Sequence, residues 1–136
     1  MRARRTIFAG ALLLAAWMGA ATAAVAGPYD GSRPLLCAVA TIMECDGSGQ
    51  CERHLPDDAN TPRFVRVNVA GQTIVADTNR QSPIRSVSHV DGALILQGGE
   101  NGRGWSATIH EDTGRMAAAI VENDYTFSIF GACTVP

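Results

Sequence analysis

Lysine occurs nowhere in the 136 residues, which removes Schiff-base chemistry and the phosphate-holding lysine of nucleotide-binding loops from consideration. Aromatic residues make up only 6% of the chain, so a core must be largely aliphatic and needs help from another source. No Cys-x-x-Cys pair occurs, and the spacing of Cys37, Cys45 and Cys51 matches neither a zinc finger nor a zinc ribbon. There is no Gly-x-Ser-x-Gly elbow either, which weakens a hydrolase reading built on Ser86, Ser88 or Ser106 with His89 or His110. From residue 63 onward no unbroken window carries three turns of helical periodicity, apart from the ambiguous run Met116 to Val121.

Charge is also missing from Ile7 to Ala26, directly after the three arginines Arg2, Arg4 and Arg5. That order is the n-region and h-region of a secretory signal, and Ala24-Val25-Ala26 fits an Ala-x-Ala cleavage site. Residues 1–26 are therefore expected to be a signal peptide, with an uncleaved membrane anchor as the rival. Arg4-Arg5 faintly resembles a twin-arginine signal, whose further residues are absent. Leu35-Leu36 stand before Cys37 where a lipoprotein signal would carry a small residue, so no lipid anchor is expected.

Cleavage would leave 110 residues, enough for one domain and too few for two well-cored ones. In that portion eight arginines face thirteen acidic residues, a formal charge of −5. This balance argues against nucleic acid and against anionic membrane surfaces as partners. A periplasmic or secreted protein without a membrane anchor is the expectation.

All four cysteines lie in the mature portion, and an even number in a small exported domain predicts two disulfides and no free thiol. Residues 27–34 read as an irregular lead-in and 35–136 as one domain. Alternation over Leu35 to Glu44 suggests a first strand, although a helix there stays open. Residues 46–62 hold so many Gly, Pro, Asp and Asn residues that they read as the longest loop. Strands are then expected near 64–69, 72–77, 84–90, 93–97, 105–110, 115–121 and 125–129, with Asp91-Gly92 as a type I′ hairpin turn. The fold class predicted is all-β: an antiparallel meander of about eight short strands, closed or nearly closed into a small barrel. In such a meander the first strand starts where the last one ends, which makes Cys37–Cys133 a natural staple at the seam and leaves Cys45–Cys51 to pin the long loop.

The same strand directions put His89, Asp91, His110, Glu111 and Asp112 at one rim, and Glu100 and Glu122 at the other. Strands two apart lie roughly 10 Å from each other, too far for shared metal ligation without help from the turns, so a solvated polar rim is the plainer reading and no cofactor or metal is assigned. His54 with Glu52, Arg53, Asp57 and Asp58 forms a charged cluster in the long loop. Asp46 to Glu52 lacks the length and terminal glutamate of a calcium loop. Gly98 to Gly104 is not followed by a helix and so is no phosphate cradle. Trp105 is expected to be core or a plug of the barrel.

Leu96-Gln97-Gly98, Gly104-Trp105-Ser106, Thr113-Gly114-Arg115-Met116 and Phe130-Gly131-Ala132-Cys133 resemble the C-terminal third of small exported bacterial all-β proteins of unassigned function. That resemblance implies a secreted β domain ending in a bonded cysteine, and it carries no catalytic residues. By architecture alone the domain is similar to lipocalin-like barrels and to periplasmic protease-inhibitor barrels. The first strand has no Trp where a lipocalin carries Gly-x-Trp, which puts a lipocalin-type cavity in doubt. If Trp105, Phe127 and Ile129 packed the interior solid, there would be no room for a ligand. The functional expectation is an exported, non-catalytic binding or interaction module whose partner is an extracytoplasmic protein or small ligand. The alternatives are a protease inhibitor inserting residues 27–34 or the loop 45–62, and a small metal protein or enzyme using the His89/His110 rim.

Overall fold

A computed structural model describes residues 27–59 and 61–136; the expected signal peptide lies outside the described residues. Nine strands follow in chain order: β1 (Leu35–Asp46), β2 (Cys51–His54), β3 (Phe64–Asn68), β4 (Thr73–Ala76), β5 (Gln81–Val90), β6 (Ala93–Glu100), β7 (Arg103–His110), β8 (Arg115–Glu122) and β9 (Tyr125–Thr134). All pairings are antiparallel, and β1 and β9 pair from Leu36↔Thr134 to Asp46↔Tyr125. Strands β1 and β3 to β9 thus form a closed eight-stranded barrel, as the alternation and turn spacing predicted. Closure leaves β9 and the start of β1 no free edge between them.

Two points differ from the sequence reading. The segment 46–62 is not all loop: β2 pairs with the upper half of β1, from Ile42↔His54 to Cys45↔Cys51. β3 takes the lower half of the same edge, from Leu35↔Val67 to Ala38↔Phe64. The pinning disulfide converts a Gly- and Asp-rich stretch into a tight hairpin that a propensity count does not see. Second, β6 and β7 run on through the supposed glycine loop and meet at Asn101-Gly102, where both residues have positive φ (50° and 77°). Asp91-Gly92, at φ 49° and 76°, makes the expected turn of the same kind. Met116–Val121 is strand, since its alternate residues Met116, Ala118 and Ile120 face inward and Ala117 and Ala119 outward.

Cys37–Cys133 closes the seam across a sequence separation of 96, and Cys45–Cys51 braces the β1–β2 hairpin across 6. All four thiols are consumed. Two intact structural disulfides belong to an oxidising environment such as exists outside the cytoplasm.

The inner face of the barrel stacks in layers that the strand register defines. Leu94, Ile109, Met116, Gly131 and Val39 lie level with one another, followed by Leu96, Ala107, Ala118, Ile129 and Ile42, then Gly98, Trp105, Ile120, Phe127 and Glu44, and last Glu100, Arg103, Glu122, Tyr125 and Asp46. At the end of the first of these layers the barrel is closed. Leu35, the Cys37–Cys133 bridge, Val67, Ile84 and Leu94 are packed there with Tyr29 from the lead-in. Tyr29 N donates to Glu111 O at 2.9 Å, and Gly31, at φ 81°, lets the chain turn tightly against Val69 and Leu94. Residues 27–34 are therefore irregular in secondary structure but seated under the barrel.

Candidate functional site

The upper half of the lumen is empty. A cavity of about 340 Å³ is walled by Val65, Ile74, Leu96, Ala107, Ala118, Ile120, Phe127 and Ile129, among others, and reaches the mouth at Arg80, Glu100, Arg103 and Glu122. It exists because of side-chain size. Eight strands leave an interior that side chains just fill or that admits one small ligand, and here Ala107 and Ala118 face each other across β7 and β8 where larger residues would meet. Trp105, Phe127 and Ile129 line this space and do not fill it. The packed interior that would leave no room for a ligand is not what the barrel has.

Trp105 is fixed as part of the wall. Its Nε1 donates to Ser82 Oγ at 2.8 Å, which satisfies the indole without crossing the lumen. Its benzo edge, at Cζ2 and Cε2, lies so close over Gly98 that any side chain at position 98 would collide with the ring and with the carbonyl of Pro83. Gly98, met in the sequence as a loop residue, is what allows the indole to lie against β6.

The charged groups that line the cavity stand at its mouth. Arg103 donates to Glu122 Oε2 through Nε at 2.9 Å and again through a second guanidinium nitrogen, so both bonds converge on one carboxylate oxygen. Glu100 sits half-buried beside them, so the expected sharing of this rim by Glu100 and Glu122 is realised, with an arginine between their strands. The loop after β2 supplies Ala59, Thr61 and Pro62 to the cavity wall. That loop is tied down by Arg63, whose Nε meets Asp57 Oδ1 at 2.6 Å. Hydrogen bonds from Arg63 hold the Asp57 carboxyl below its ordinary range, and the same bonds raise the guanidinium. Asp46 caps the β1–β2 turn by accepting from the Ser48 hydroxyl at 2.6 Å and from Ser48 N and Gln50 N, and the Ser48 hydroxyl chiefly lowers its pKa. On the inner side of this hairpin His54 Nε2 lies 3.7 Å from Glu44 and 3.9 Å from Glu52. The charged cluster expected in a loop is thus split: His54 and Glu52 stand on a strand over the mouth, and Asp57 serves the loop below.

At the opposite, closed end the structure brings together two of the five rim residues. His89 Nδ1 lies 2.5 Å from Glu111 Oε1, and Glu111 is buried, its backbone N donating to Gly92 O. The β7–β8 turn covers the gap between strands two apart. His110, Asp91 and Asp112 are exposed and make no side-chain hydrogen bond among the described residues. No three His, Cys, Asp or Glu side chains converge there or elsewhere among the described residues as metal ligands would. Nor does any of Ser86, Ser88 and Ser106 hydrogen-bond to a histidine among the described residues.

No family model, curated protein or solved structure matches the chain. Of the likenesses read from the C-terminal third, the small all-β barrel is what stands.

The sequence reading left the cavity open because it depends on which residues are small at one level of the inner wall. The alternation Trp105, Ala107, Ile109 was visible, as was Met116, Ala118, Ile120. That Ala107 and Ala118 face each other follows only from the register of β7 on β8.

Proposed function

We propose that the protein is an exported, non-catalytic binding module that holds one small, mostly apolar ligand in its lumen. The observation that carries this reading is the largely apolar cavity of about 340 Å³ in the barrel lumen, with its charged lining residues Arg80, Glu100, Arg103 and Glu122 at the mouth. Its size is at the lower end of the ~300–1,000 Å³ of small-molecule pockets, and at ~30 Å³ per water-sized group it takes on the order of a dozen heavy atoms. A ligand enters apolar end first, since every charged group of the site is at the mouth. The −5 charge of the described residues and the intact disulfides suit a soluble protein of the periplasm or the extracellular space.

Trp105 is the only tryptophan among the described residues and lies in the cavity wall, so its emission reports on occupancy directly. Titrating the oxidised protein with decanol should shift that emission saturably. Ala118→Phe, which fills the space, should abolish the shift while leaving the fold intact by circular dichroism. An unchanged response in the filled variant would refute luminal binding.

A second reading, inhibition of a secreted or periplasmic protease, draws on Leu55. This residue is 56% exposed directly after the disulfide-braced hairpin, as a protease-inserting residue on a constrained loop would be. Loss of inhibition in Leu55→Asp, against a protease that prefers leucine, tests it.

A further inference from the structure

The lumen has a second chemical feature besides being apolar. At one level of the wall the register places Trp105, Ile120 and Phe127 side by side, with Gly98 on the far side of Trp105. This level lies directly under the charged mouth, where the next layer holds Arg103, Glu122 and Tyr125. The chain has few aromatic residues, and two of them stand at this one level of the cavity. Both rings pack against the edge of the core and still face the cavity, because the layer below, with Ala107 and Ala118, is open. Trp105 is moreover immobilised on two sides, by its bond to Ser82 and by its seat on Gly98. A fixed indole contributes binding energy without first losing rotamer freedom.

Ring pairs favour offset-stacked or edge-to-face contacts at centroid separations of roughly 4.5–7 Å, beyond what their buried area contributes. An aliphatic wall gives no such preference. From this we propose that the ligand carries an aromatic ring, seated between Trp105 and Phe127 against Ile120, with its polar substituent toward Arg103 and Glu122. The inference rests on the reading of the lumen as a binding site and names the chemical class that site selects.

The test compares naphthol with its fully saturated counterpart, decahydronaphthol, which keeps the carbon skeleton and the hydroxyl. Both are titrated into the oxidised full chain, with affinities from calorimetry and ligand proton shifts from NMR. Naphthol should bind about tenfold more tightly, the order expected of two ring contacts. Its ring protons should also move upfield in the bound state. In Trp105→Leu and Phe127→Leu the preference should shrink, while decahydronaphthol binds as before. Equal affinity of the wild-type chain for the two compounds, or a preference that survives in both variants, overturns the aromatic proposal but leaves the luminal reading in place. Binding of neither compound overturns both. If the variants do not fold, the wild-type affinity ratio and the upfield shift decide alone: both present supports the ring contact, and absence of either refutes it.

Discussion

At one end of the barrel Leu35, Val67, Ile84 and Leu94 are packed around the Cys37–Cys133 bridge with Tyr29 against them, and the chain itself crosses beneath. At the other end the same strands carry Ala107, Ala118, Ile120 and Phe127 around open space, and the rim is held by ion pairs and a hairpin. One alternating pattern therefore makes a core in one half and a cavity in the other. The difference lies in residue size and in what covers each end. A closed end supplies the stability that lets the open end leave apolar area in contact with solvent.

The largest expected effect sets the two disulfides against each other. In the chain-entropy account a bridge across a separation of 96 contributes roughly 4.7 kcal/mol, and one across 6 roughly 2. Replacing Cys37 and Cys133 by alanine should therefore lower the urea-unfolding free energy by several kcal/mol, within the ~2–5 typical of small secreted domains. Replacing Cys45 and Cys51 should cost about half as much or less, and should chiefly change ligand access. Equal losses from the two pairs would mean that the ends do not differ as described.

Next in size is Tyr29→Ala, which removes the aromatic ring that closes the lower end. A loss of about 1–3 kcal/mol is expected in the same measurement, less than the 3–5 of a fully buried ring because Tyr29 is only partly covered. A loss within error would show that the lead-in does not seal the barrel.

Adding carbon should have opposite signs at the two ends. Ala118→Leu extends into empty space and should stabilise the ligand-free protein by about 0.5–2 kcal/mol while weakening ligand binding. Gly31→Ala adds a single methyl group at positive φ against Val69 and should destabilise by about 1 kcal/mol or more. Melting temperatures of the two variants, one above and one below wild type, check both expectations at once.

The smallest effect concerns acid. The Asp57 carboxyl is held below its ordinary range by Arg63, so it stabilises the folded chain above the unfolded value of about 3.9, and the contribution fades as pH falls through the lowered folded value. Both groups are solvent-exposed, so the change is small. Asp57→Asn should flatten the acid limb of a melting-temperature profile slightly and leave neutral pH almost unaffected. A large change at neutral pH would give this exposed pair a weight the description denies it.

The sequence told most about strands and cysteines, because both obey rules of local pattern or of count. Period-two alternation located β3 to β9 to within a few residues, and the direction of a meander decided which cysteines meet at the seam. It failed at β2, where a covalent bond overrides a loop-forming composition. It also failed at Asn101-Gly102, a turn pair as good as Asp91-Gly92 that lay hidden among neighbouring glycines. His89 and Glu111 were placed at one rim, and their direct contact depended on how far the β7–β8 turn leans, which no periodicity records. The cavity was least legible, since its volume is a property of facing pairs on different strands.

The separation of 96 between the seam cysteines also bears on how the molecule is made. Cys37, Cys45 and Cys51 are synthesised well before Cys133, so the first cysteine has two near neighbours in sequence while its correct partner is still to come. Pairing of Cys37 with Cys45 or Cys51 is then the kinetically favoured error, and reaching the native connectivity requires thiolate attack on that wrong bond before the last strand docks. Oxidative refolding of the reduced chain should therefore run faster where thiol–disulfide exchange is allowed than where it is blocked.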